Sequence, residues 1–201
     1  MIALSEDQTD ALVEIFNISI GRAAASMSGI VNEEISLTVP TIKFLSARDA
    51  ATQLYGLEDK RVCGVMQHFN GPFSTEALLM FPEDQSLEIV RMMVGESYSM
   101  DELSELEQEA MSEVGNIILN ACMGSIANII DSEFDSTLPE VKLGLGNELL
   151  KVGESGGGET VMLIFIDFII ASKTIHGYMV FLMDVPSING LIKSVDYFLN
   201  S

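Results

Sequence analysis

This sequence predicts an α/β (α+β) sandwich. Two pseudo-symmetric halves pool their strands into one mostly antiparallel sheet, and two long helices lie on one face and carry the sites. Three observations carry that expectation. The chain repeats itself at an offset of 99 residues. Each copy runs helix, alternating strand, hairpin, short helix. The apolar run from 161 to 170 suits a strand buried on both sides better than one with a wet face.

The repeat fixes the organisation. Shifted by 99, Glu14 falls on Glu113, Asn17 on Asn116, Ile18 on Ile117 and Ser26 on Ser125. Glu34 meets Glu133, Thr38 meets Thr137, Pro40 meets Pro139 and Lys43 meets Lys142, with no gap. Acidic Asp10 meets acidic Glu109, and Ala11 meets Ala110. A given residue type matches by chance at roughly one position in twenty. Eight matches in about 30 positions, several of them polar, point to one domain made of two homologous halves, 1–100 and 101–201.

The elements follow in order. Residues 6–31 read as a helix, with Leu12, Ile15, Phe16, Ala23, Met27 and Ile30 on one face. An alternating strand segment follows around Pro40. Val62–Phe69 and Thr75–Phe81 read as a hairpin across Asn70-Gly71-Pro72, and a short amphipathic helix closes the half at 84–95. Residues 101–131 read as the second long helix, with Met111, Val114, Ile118, Cys122, Ile126 and Ile129 on one face. Ser104 followed by Glu107 resembles a capping box near its start. A β-rich segment around Pro139 follows, and Gly156-Gly157-Gly158 reads as a mobile turn. Thr160–Ile170 and Thr174–Met183 form a second hairpin around Ala171-Ser172, and a helix at 187–199 ends the chain.

Composition excludes several functions. Ten Lys and Arg against thirty Asp and Glu, in 201 residues, leave a formal charge of −20. Nucleic-acid phosphates and anionic lipid need clustered cations, so neither is an expected partner. The 48% apolar content is that of a folded protein. The opening Met-Ile-Ala-Leu-Ser-Glu-Asp has neither a basic region nor a long apolar one, so no secretory signal is expected. The run from Val161 to Ala171 contains Asp167 and is too short to span a bilayer. A soluble cytoplasmic protein is the expectation. Cys63 and Cys122 read as apolar fillers, and most of the twelve Met as core packing. His68 and His176 fall in different halves and read as structural or surface residues. Gly153–Gly158 lacks the Lys-Ser/Thr of a phosphate-binding loop, and no calcium-loop spacing occurs. No metal site of the chain's own is expected.

The chemistry concentrates on the wet side of the two long helices. Asp10, Glu14 and Asn17 are spaced i, i+4, i+7 and share a stripe, which Gly21, Ala25 and Ser28 continue almost bare. Glu109, Glu113 and Asn116 repeat it, followed by Asn120, Gly124 and Ala127. A solvated polar face is the ordinary reading of one Glu-x-x-Asn. Recurrence, with a proline 23 positions after each Asn, argues for a task. Asn is also a mediocre helix former. Its amide cannot act as a base, but it can orient a water, and a carboxylate can pair with a partner's cation. Water positioning is what phosphoryl hydrolysis requires. The stripe has no metal cage, no phosphate loop and no Arg, so a phosphorylated protein carrying its own metal would have to supply them.

The pattern Asp-x3-Glu-x2-Asn-x22-Pro is filled by Asp10, Glu14, Asn17 and Pro40, and again, with Glu first, by Glu109, Glu113, Asn116 and Pro139. This resembles the CheC/CheX/FliY family of chemotaxis phosphatases over nearly the whole chain, and its two copies match the CheC type. The resemblance implies hydrolysis of the phospho-aspartate of a CheY-type response regulator, whose receiver domain supplies Mg²⁺. It implies that Asn17 and Asn116 orient the attacking water and that Glu14 and Glu113 pair with the regulator's lysine. Asp10, Gly21, Glu109, Asn120 and Gly124 would lie against the partner, and Pro40 and Pro139 would be structural. Glu109 departs from the family's usual Asp or Ser. A CheD-type deamidase is a further partner implied by the resemblance alone. A two-repeat chain has already formed its internal pair, so a monomer is expected. The alternative is a non-enzymatic module that sequesters a response regulator or another chemotaxis protein.

Overall fold

The computed structural model describes residues 4–31, 34–46, 49–50, 53, 60–95, 99–129, 131–145, 149, 160–170 and 173–200. In chain order the elements are α1 (Glu6–Val31), β1 (Ile35–Ser46), β2 (Arg61–Asn70), β3 (Ser74–Pro82), α2 (Glu83–Val94) and α3 (Met100–Ile129). Then come β4 (Asp135–Ser136), β5 (Glu140–Leu145), β6 (Thr160–Ile170), β7 (Lys173–Met183) and α4 (Val185–Leu199). The expected α/β class, antiparallel sheet and two long helices are present. The Gly156–Gly158 turn and the Ala171-Ser172 connection lie outside the described residues.

The seven strands form one sheet, ordered β1, β6, β7, β3, β2, β4, with β5 also on β2. Every pairing is antiparallel. Each edge strand therefore sits against the other half's hairpin: β1 on β6, β5 on β2. The registers match at the same offset of 99. Thr41 faces Phe165 as Glu140 faces Met66, and Ser46 faces Thr160 as Leu145 faces Arg61.

Both edges slip at their proline. On β1 the pairing runs from Thr38↔Asp167 to Thr41↔Phe165, so Val39 and Pro40 together oppose one residue. Proline has no N–H for the ladder, and an extra residue exchanges the two faces of a strand. The inward positions change accordingly, from Ile35, Leu37 and Val39 to Ile42. On the opposite edge the pairing jumps from Ser136↔Phe69 to Glu140↔Met66 across Pro139.

The main core lies between the helices and the inner sheet face, and includes Phe16, Phe69, Phe81, Phe168 and Phe181. A second apolar cluster with Val62, Leu78, Met80, Val161, Leu163 and Val180 covers the other face. Strand β6 contributes to both, as its apolar run, interrupted by Asp167 alone, requires. Each such side chain contributes about 1.5–3 kcal/mol of burial. Ile30, placed by periodicity on the core face of α1, is 47% exposed, because it belongs to the last turn, beyond the reach of the sheet.

The starts of α1 and α3 are fixed by local side-chain hydrogen bonds. Ser5 N–H donates to Gln8 Oε1 at 3.0 Å, and Gln8 N–H donates to Ser5 Oγ at 3.1 Å, a reciprocal cap. The equivalent on α3 is Ser99 with Glu102, not Ser104 with Glu107. The helix begins at Met100, next to the expected 101, so Glu107 lies past the first turn and points inward. It is 1% exposed and hydrogen-bonded to Ser86.

Candidate functional site

The two motif copies lie on the outward sides of α1 and α3, which pack against each other over the inner sheet face. Their inward neighbours, Leu12, Ile15 and Phe16 on α1 and Met111, Val114 and Ile118 on α3, are buried. That burial turns the intervening positions out. Asp10, Glu14, Glu109 and Glu113 are exposed, and Asn17 and Asn116 are half-buried at the foot of each stripe. Among the described residues, neither Glu14 nor Glu113 has a hydrogen-bond or ion-pair partner. Gly21 and Gly124 leave open space where a side chain would stand, so the bare track is real. Asn120 is half-buried.

The two asparagines are held by different donors. Asn17 Oδ1 accepts the backbone N–H of Val39 at 2.9 Å. Val39 lies in the β1 bulge beside Pro40, so its N–H turns to the helix instead of the ladder. At the second copy, Asn116 Oδ1 accepts from Asn120 Nδ2 at 2.8 Å. The residue equivalent to Val39 is Leu138, and there the copies part: Val39 is buried, whereas Leu138 is 89% exposed. Thr137, just before it, is anchored to β2. Its N–H donates to His68 O at 3.0 Å, and its carbonyl accepts from Gln67 Nε2 at 2.9 Å.

Beside the first copy, an open cleft of about 760 Å³ is lined by Ser5, Asp7, Asp10, Glu14 and, from α4, Asp196 and Phe198. Acidic groups dominate its polar lining, so it suits a cationic side chain better than an anion. Pro139 lies at the second edge's slip as Pro40 lies at the first.

The other titratable groups belong to the scaffold. Burial pushes the Glu107 carboxyl above its ordinary range, Ser86 and Cys63 hydrogen bonds pulling the other way. Burial also pushes the Cys63 and Cys122 thiols far up, which keeps them un-ionised and inert. His68 and His176 are exposed, beside Glu76 and Asp167 respectively. Among the described residues no three His, Cys, Asp or Glu side chains gather as a metal site. No helix among them is long and apolar enough to cross a membrane.

Sequence reasoning missed Gln67. Its signal was available: it is the polar member of the inward series Cys63, Val65, Gln67, Phe69, and it is 2% exposed. The exposure of Leu138 carried no signal, since the matching position in the first copy is buried.

No family model matches the chain. It is similar to the CheY-P phosphatase CheC of Bacillus subtilis, 26% identical over 153 residues, spanning 75% of this chain and 73% of that protein. Its fold is similar to the crystal structure of Thermotoga maritima FliY, with a TM-score of 0.79 at 18% identity, covering 99% of both chains. It is also similar to CheX in the CheX–CheY–BeF3–Mg complex of Borrelia burgdorferi, with a TM-score of 0.54 at 16% identity, covering 86% of this chain and 97% of that one.

Proposed function

Because the chain belongs to the CheC/CheX/FliY family, we propose that it hydrolyses the phospho-aspartate of a CheY-type response regulator in chemotaxis. Water attacks the phosphorus. The bond from phosphorus to the aspartyl oxygen breaks, and inorganic phosphate leaves a free carboxylate behind. Mg²⁺ held by the receiver would supply charge stabilisation to the transferring group.

The chain's part is positioning. The observation that carries the reading is the shared polarity of the two amides: Asn17 and Asn116 each turn Oδ1 to a donor of the protein. Their NH2 groups are left to meet a water or a phosphoryl oxygen. An amide held by its oxygen is a pre-oriented donor, and orientation is the main thing a hydrolysing water lacks. Glu14 and Glu113, one turn before, are exposed carboxylates suited to a lysine of the receiver. Asp10, Gly21, Glu109 and Gly124 would border the docked partner, whereas Asn120, expected beside them, turns its amide to Asn116. In this reading 1–100 and 101–201 are two copies of one unit, the repeated strand registers supporting it. The protein acts in the cytoplasm as a monomer, with a CheD-type deamidase as a second partner.

One observation favours the rival, a binding module without catalysis. Asn17 already has a structural task in holding β1, and an amide kept for that alone would look the same. The test is the decay of a phosphorylated CheY-type receiver with Mg²⁺, alone and with wild type, Asn17→Ala, Asn116→Ala and the double variant. Acceleration by wild type that disappears in the double variant supports hydrolysis. A receiver half-life unchanged by wild type would sink it and leave the binding module.

A further inference from the structure

The second copy carries a device the first lacks, and it sets which end of Asn116 faces out. Gln67 is buried on β2 and spends its NH2 on the carbonyl of Thr137 at 2.9 Å. Its amide oxygen is therefore the end that faces α3, where Asn120 Nδ2 lies 3.4 Å away. That oxygen can only accept, so Asn120 must present its NH2. The same NH2 also lies 2.8 Å from Asn116 O and 2.8 Å from Asn116 Oδ1, so its two hydrogens serve three acceptors and one hydrogen is shared between two of them. Asn116 must in turn present its oxygen inward, which leaves its own NH2 outward. Each amide fixes the polarity of the next.

The first copy reaches the same polarity by another route. Asn120 is matched by Gly21 and Gln67 by Ile166, so no relay exists there. The backbone N–H of Val39, which can only donate, holds Asn17 Oδ1 instead. At the second copy that strand contact has given way to an exposed Leu138. Two unlike arrangements converge on one amide orientation.

We propose that Asn120, aligned by Gln67, is a positioning residue of the second site: it locks the Asn116 amide with its NH2 toward the substrate. This rests on the phosphatase reading above and adds to it a residue outside the doubled motif.

The test uses the full chain carrying Asn17→Ala, so that only the second site works, with a phosphorylated CheY-type receiver and Mg²⁺. Asn120→Ala removes the donor and favours the helix. Asn120→Asp keeps the shape but offers only acceptors, so Asn116 would turn its NH2 inward to meet it. Both variants are expected to lower kcat about tenfold with KM within about twofold, as misorientation without lost docking requires. The side-chain NH2 resonances of Asn116 should also move in Asn120→Asp while the backbone spectrum stays that of the parent. A parent that accelerates decay, with both variants matching its kcat, would overturn the role of Asn120 and leave the phosphatase reading intact. Loss in Asn120→Ala with full activity in Asn120→Asp would also overturn it, since polarity would then not matter. A parent and wild type that both fail to accelerate decay would overturn the reading and this role together.

Discussion

Asn17 and Val39, 22 residues apart in the chain, are joined by a 2.9 Å hydrogen bond from the strand's N–H to the helix's amide oxygen. The bond exists because Pro40 cannot donate and the strand bulges beside it, releasing Val39 N–H from the ladder. The motif's Asn and its distant proline are thus two ends of one local structure. The proline creates the donor that orients the amide.

That relationship gives Asn17 a structural task beside the water-orienting one proposed for it. Asn17→Ala leaves the N–H of buried Val39 without an acceptor, which typically costs about 1–3 kcal/mol. Asn116→Ala should cost less, under about 1 kcal/mol, because Asn120 Nδ2 retains the backbone carbonyl of residue 116. Urea unfolding of the two single variants checks the difference. Equal losses would mean that the Val39 contact contributes nothing.

Leu138 is 89% exposed at the second copy, where the first buries Val39. An isolated exposed apolar residue contributes little to folding. Leu138→Ser should leave stability within about 0.5 kcal/mol. It should weaken docking of the phosphorylated receiver at the second site several-fold if that side chain meets the partner. Titration of the receiver into an Asn17→Ala chain, with and without Leu138→Ser, measures it. Unchanged affinity would assign the docking surface elsewhere.

Much of this was legible in the sequence, for identifiable reasons. Periodicity located α1 and α3 because one face of each is a continuous apolar stripe, and the offset of 99 exposed the doubled motif. Alternation located the hairpins. The capping box on α3 was placed too late: Ser104 and Glu107 match Ser5 and Gln8 of the first copy, but α3 starts earlier in its copy than α1 does, so the cap falls to Ser99 and Glu102. The relay through Gln67 and Asn120 was not legible. It joins β2 to α3 across the sheet's inner face; Asn120 stood out as a stripe residue and Gln67 was a polar inward position, but nothing in the sequence pairs the two. The contrast between Val39 and Leu138 was hidden for the opposite reason: both are aliphatic at matched positions, and only tertiary packing separates them.

Gly115 precedes Asn116 and is matched in the first half by Phe16. A Cβ on Gly115 would lie 2.8 Å from Val65 Cβ on β2, closer than real carbons pack. Gly115→Ala must therefore push α3 off the sheet. Overpacking of this kind costs about 1–3 kcal/mol, against a gain of about 1 kcal/mol in helix propensity. Because the displaced turn carries Asn116 and Asn120, activity at the second site should fall alongside Tm. A variant with raised Tm and full activity would show that Val65 yields freely.

Glu107 offers the pH test. It is 1% exposed on α3 and shares the hydroxyl of Ser86 with the carbonyl of Glu83. One hydroxyl hydrogen cannot serve both acceptors, so a protonated Glu107, donating to Ser86 Oγ, satisfies the cluster better than a carboxylate. Burial accordingly raises its folded-state pKa above the ordinary glutamate range. A carboxyl raised on folding binds more protons in the native state than in the unfolded chain. Its contribution is fully present below the unfolded pKa and is lost as pH rises through the folded one. Glu107→Gln keeps a donor for Ser86 and cannot ionise. Its stability relative to wild type should therefore grow as pH rises from 5 to 8, by about 1–3 kcal/mol, the usual range for an unsatisfied buried polar group. Urea unfolding of both proteins at the two pH values decides it. A difference that stays flat, or shrinks with pH, would mean that Glu107 keeps its charge at no cost in the fold.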